Sequence, residues 1–85
     1  MPTEYSKNKV DDAVLALLYL NLFQEDGIPR AWKSFDWKSM DRLFERGYIS
    51  DPKSKAKSVV LTEEGMKRAG ELFKRFFMDG QEQGT

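Results

Sequence analysis

A mainly α domain with one small β-hairpin, α+β in class, is the fold this 85-residue chain predicts. Apolar residues recur at helical spacing in the N-terminal, central and C-terminal stretches. Two short β-prone runs, Tyr48-Ile49-Ser50 and Ser58-Val59-Val60-Leu61, flank a polar segment opened by Asp51-Pro52. Stop signals at Glu25-Asp26-Gly27, Gly47 and Gly80 separate these pieces. The expected order is helix, short helix, helix, hairpin, helix, in a single domain over residues 8–79, with flexible termini at 1–7 and 80–85.

The first helix is expected from Asn8, a good N-cap, to Phe23 or Gln24, with Asp11 and Asp12 in its first turn where negative charge suits the helix dipole. Val10, Val14, Leu17 and Asn21 share one side, and Leu15, Leu18, Tyr19, Leu20, Leu22 and Phe23 cover most of the rest. A helix apolar nearly all round is buried on more than one side. So small a monomer has little protein to surround it, which points to a homodimer.

Pro29 suits the first position of a short helix reaching Ser34. Asp36 then caps a helix from Trp37 to about Arg46, stopped by Gly47. Trp37, Met40, Leu43 and Phe44 gather on its packed side, and Lys38, Arg42 and Arg46 line the opposite side. After the hairpin, Thr62 caps the last helix, with Glu63 and Glu64 in its first turn. Its stripe is Met66, Ala69, Leu72, Phe73, Phe76 and Phe77.

Composition narrows the function. With 40% hydrophobic and 33% charged residues the chain is an ordinary globular domain rather than a disordered one. It has no Cys and no His, which removes thiolate nucleophiles, imidazole bases and zinc sites built on either. Capping accounts for the acidic pairs, Ser54 beside Lys55 lies in a loop, and no glycine-rich phosphate cradle is present. No catalytic residue, metal ligand or cofactor is expected. The longest apolar run, Ala13 to Phe23, is too short to span a bilayer, and no signal peptide is visible, so a soluble cytoplasmic protein is the default. Acidic and basic groups cancel overall, but residues 30–57 carry eight basic against four acidic side chains.

The element order is that of winged helix-turn-helix domains. The stretch Leu43-Phe44-Glu45-Arg46-Gly47-Tyr48-Ile49-Ser50, a basic loop and then Val60-Leu61-Thr62-Glu63-Glu64-Gly65 resemble the wing of MarR-type and PadR-type bacterial regulators. Those regulators usually carry extra dimerisation helices that this chain lacks, and the Pro29–Phe35 region is shorter and more aromatic than their pattern. Residues 10–78 are also similar to a small bacterial domain family with no assigned function, through Glu25 to Trp32 and Gly47 to Gly65.

Three constellations bear on partners. Lys38, Arg42 and Arg46, with Lys53, Lys55 and Lys57 in the wing, form a candidate surface for double-stranded DNA. Alternatively they are a solvated helix face and a lysine-rich loop, and Asp41 and Glu45 dilute the stripe. Leu15, Tyr19 and Leu22, with Phe76 and Phe77, are the candidate homodimer seam. Trp32, Phe35 and Trp37 read first as core, and alternatively, through Trp32 and Trp37, as a protein-binding hot spot. Two non-enzymatic functions therefore stand side by side: DNA binding, or protein interaction without DNA.

Overall fold

Ser6, two residues ahead of the expected cap, opens the first helix by accepting the backbone N–H of Lys9 (3.2 Å). The computed structural model describes residues 6–78, so Gly80, the expected end of the last helix, lies outside the described residues. Helix α1 runs Lys7–Leu20. Asn21 ends it, its side chain donating back to the Leu17 carbonyl at 3.0 Å. The chain continues through strands β1 (Phe23–Glu25) and β2 (Ile28–Trp32), helix α2 (Trp37–Glu45), strand β3 (Ser58–Val60) and helix α3 (Glu63–Phe77).

The main departure from the expected order is β1–β2. Residues 29–34 do not form a short helix; Ile28–Trp32 is the middle strand of a three-stranded antiparallel sheet ordered β1-β2-β3. Asp26 (φ 55°) and Gly27 (φ 78°) both take positive φ, as a two-residue type I′ hairpin turn demands. Pro29 faces β3, where its carbonyl accepts the Leu61 N–H (3.1 Å). Without an N–H of its own it leaves the reciprocal bond of that pair unmade, at the end of the β2–β3 ladder. With a strand ahead of α2, the helix pair of a helix-turn-helix is not formed.

The hairpin expected after α2 is likewise reduced. β3 pairs chiefly with β2, and residues 48–50 contribute one bridge, Ile49 to Leu61. Loop 51–57 is folded rather than extended. Lys33 Nζ donates to the carbonyls of Pro52 (2.7 Å) and Ser54 (2.8 Å), and the Asp51 carboxylate accepts the Lys53 N–H.

Asp36 caps α2 through the Ser39 N–H, and Gly47 (φ 83°) reverses the chain after it. Thr62 Oγ1 accepts the Gly65 N–H (2.9 Å) and donates to the Gly47 carbonyl (2.6 Å). That lock brings α3 so close to the chain at Tyr48 that a Cβ on Gly65 would fall 1.9 Å from the Tyr48 oxygen.

Helix α1 packs on α3, α2 and β2. Val14, Leu15, Ala16 and Leu18 are buried there with Ala31, Met40, Leu43, Ile49, Val59, Leu61, Ala69 and Leu72. Three partners within one chain therefore account for most of α1's apolar surface, which sequence reasoning assigned to a second subunit. Among the described residues no helix is long and apolar enough to cross a membrane. The architecture is α+β, three helices with a small sheet.

Candidate functional site

Alternation along the strands separates two faces of the sheet. Ala31 and its cross-strand partner Val59 point into the core and are fully buried. Phe23, Glu25, Ile28, Arg30, Trp32, Ser58 and Val60 have the opposite parity and form the outer face. Among the described residues no helix packs on that side, since the only helix there against the sheet is α1, which meets β2 on the core side.

Arg30 pins the centre of this outer face. Its Nη1 donates to Ser58 Oγ at 2.9 Å, and its Nε lies 3.5 Å from the Glu25 carboxylate, so one guanidinium ties all three strands together. Beside it Trp32 stacks on Phe23, with centroids 4.8 Å apart and planes inclined by 31°. Trp32 remains 55% exposed and Ile28 43%. A tryptophan held by a ring on one side and open on the other loses little side-chain freedom when a partner covers it.

Helix α2 carries a second apolar flank. Met40 and Leu43 are buried as expected, but Trp37 and Phe44, expected on the packed side, are exposed. Seven residues apart, these two share one flank of the helix. Of the aromatic trio, only Phe35 packs against the core. The packed-core reading of Trp32 and Trp37 is thereby corrected.

The basic residues are dispersed. The Asp11 carboxylate, buried to 1%, accepts Arg42 Nε (2.6 Å) and Nη2 (2.8 Å). Arg42 therefore ties α2 to α1, and Asp11 serves that pair rather than the helix dipole. Asp12 similarly faces Arg68 on α3 at 3.7 Å. Lys53 donates to Asp41 at 3.0 Å, a hydrogen bond that raises the lysine pKa above its ordinary value. Arg46 lies over the Tyr48 ring at 5.8 Å. Lys38, Lys55 and Lys57 are exposed, and no ion pair among the described residues engages them. The folded loop does not hold Lys53, Lys55 and Lys57 in the extended alternation that would align them.

The proposed seam is divided too. Leu15 is fully buried and has no surface to offer. Tyr19 packs on Phe73 at 5.4 Å, and Leu22 packs against the core. Phe76 and Phe77 are exposed and line an open groove of about 600 Å³ with Lys9, Asp12, Ala13 and Arg75. Sequence reasoning missed the outer sheet face, although Asp26-Gly27 between Phe23-Gln24-Glu25 and Ile28-Pro29-Arg30-Ala31-Trp32 is the short-range hairpin signal that would have found it.

Among the described residues, no group of three or more carboxylates is placed to hold a metal ion. Comparison with known proteins finds an uncharacterized protein, y4hR, of Sinorhizobium fredii. It is 57% identical over 74 residues, which cover 87% of this chain and 96% of the relative. No solved structure matches. The expected likeness to a small bacterial family without assigned function is met: residues 6–79 match the model of the Domain of unknown function (DUF6429), and the chain belongs to that family.

Proposed function

We propose that this chain is a non-enzymatic protein-interaction module whose contact surface is the outer face of the sheet. The observation that carries this reading is Trp32, stacked on Phe23 yet more than half exposed, beside an Arg30 locked across three strands. Among the described residues the indole N–H has no acceptor within the chain, so it is available to a partner's carbonyl. The partner that fits is therefore a protein with an apolar patch and a carbonyl placed for the indole N–H.

A photo-crosslinking residue at position 32, expressed in the native bacterium, should capture one defined protein, with none captured from position 67 on α3. The purified partner should then bind the wild-type chain and bind Trp32→Ala at least about 10-fold more weakly, the usual scale of a hot-spot residue. Equal binding by the two would overturn the reading.

A DNA-binding reading keeps one specific support, Lys38, Lys55 and Lys57, which no ion pair among the described residues engages. It requires duplex binding that weakens steeply with salt. Anisotropy showing no binding at about 50 mM salt removes it.

A further inference from the structure

The hairpin that creates the outer face also leaves an edge, and its hydrogen-bonding parity can be worked out. In a two-residue type I′ hairpin the residues flanking the turn, here Glu25 and Ile28, form a hydrogen-bonded pair. Parity then makes Gln24–Pro29 a non-bonded pair and Phe23–Arg30 a bonded one. The Leu61 N–H on the Pro29 carbonyl confirms this independently, since Pro29 must face β3 and away from β1. Both backbone groups of Gln24 therefore point outward from the sheet.

Among the described residues β1 is an open edge of the sheet. It bears no lysine or proline, two of the usual defences against edge pairing.

We infer that this edge pairs with β1 of a second copy of the chain, antiparallel, with Gln24 on the two-fold axis. In that register the two Gln24 residues exchange N–H and carbonyl, giving two hydrogen bonds, and their side-chain amides lie opposite one another. Each Glu25 meets Phe23 of the second copy rather than the other Glu25, so like charges do not oppose. Shifting the axis by one residue to Glu25 would put carboxylate against carboxylate and turn the outward backbone groups out of register. The contact is isologous and closes on itself.

The two sheets become one of six strands, with Phe23, Ile28 and Trp32 of both copies on a continuous outer face. Across the seam, exposed Ile28 flanks the Glu25 end of each Phe23–Glu25 pair and Arg30 the Phe23 end. The inference is independent of the partner proposed above, because it uses the edge and not the face. It also differs from a seam at Phe76 and Phe77.

Sedimentation equilibrium of the full chain at about 100 µM, a range suited to a small interface, should show a dimer. Gln24→Pro removes the outward N–H without touching the β1–β2 ladder. It should weaken association at least 10-fold, while Gln24→Ala should leave it within 3-fold. Phe76→Ser and Phe77→Ser should still dimerise. A monomeric wild type, a Gln24→Pro variant that dimerises normally, or loss of the dimer in the Phe76 and Phe77 variants alone would each overturn the inference. Should Gln24→Pro fail to fold, amide hydrogen exchange in the wild type decides. The Gln24 N–H should gain protection as concentration rises, and its unchanged exchange would reject the pairing.

Discussion

Asp11 shows how a residue's role depends on what lies opposite it in space. At the start of a helix a carboxylate favours the dipole, but this one is buried and gripped by two nitrogens of Arg42 from α2. Asp11→Ala removes the carboxylate that joins Arg42 to α1; because the guanidinium is 31% exposed, the cost falls below that of a fully buried pair, at roughly 1–2 kcal/mol. Urea unfolding should register that loss, and Arg42→Ala should lose stability too, so weakened DNA binding by an Arg42 variant would not by itself report a contact. Gly65 is the other demanding position: Gly65→Ala forces α3 off the Tyr48 backbone, with an expected cost of about 1–3 kcal/mol. Lys53 is exposed, and its hydrogen bond to Asp41 raises its pKa above the unfolded value of 10.5. Whatever stability this pair contributes is complete below that value and lost as pH rises through the higher folded pKa. NMR titration should find the Lys53 ammonium deprotonating later in the wild type than in Asp41→Asn.

At the scale of elements, the β1–β2 hairpin decides the most. It occupies the place where a second helix would stand in a helix-turn-helix, and it supplies both Trp32 and the open edge. Its turn rests on Asp26 and Gly27 at positive φ. Nothing lies within 4 Å of a Cβ added at Gly27, so Gly27→Ala is penalised by backbone conformation alone, at roughly 1–2 kcal/mol. Thermal melts should show that loss, and Gly27→Asn, which tolerates left-handed conformations, should recover part of it. Helix α2 matches its expected span to within a residue because Asp36 and Gly47 punctuate it locally. The stretch 29–34 was misread because proline is favoured at a helix start and disfavoured inside a strand with neighbours on both sides. That it sits in a strand here was decided by pairing with β3, nearly thirty residues downstream.

For the whole molecule, charge is the discriminating property. The basic middle third looks like a footprint for nucleic acid when read along the chain. In three dimensions Arg30, Arg42 and Lys53 are paired with carboxylates, and Lys33 is tied to loop carbonyls. A Lys38→Ala/Lys55→Ala/Lys57→Ala variant should keep the wild-type melting temperature, because exposed charges away from such contacts contribute little to stability. If the protein-interaction reading holds, it should also keep its affinity for a partner captured at position 32. A large loss of affinity there would move the contact surface from the sheet to the loop.

What the sequence determined by itself was local: the boundaries of α2, the Thr62 start of α3, the apolar stripe that becomes the core, and the absence of imidazole and thiol chemistry. Caps, turns and periodicity act over a few residues, so they are legible without the fold. The tertiary structure decided which apolar faces of α1 are satisfied inside one chain, which arginine is tied to α1, and which tryptophan stays in solvent. Those outcomes depend on contacts between residues far apart in the chain: Asp11 with Arg42, Pro29 with Leu61, Phe23 with Trp32 across a turn. Burial and ion pairing are properties of such meetings, and spacing along the chain does not encode them until the strands have paired.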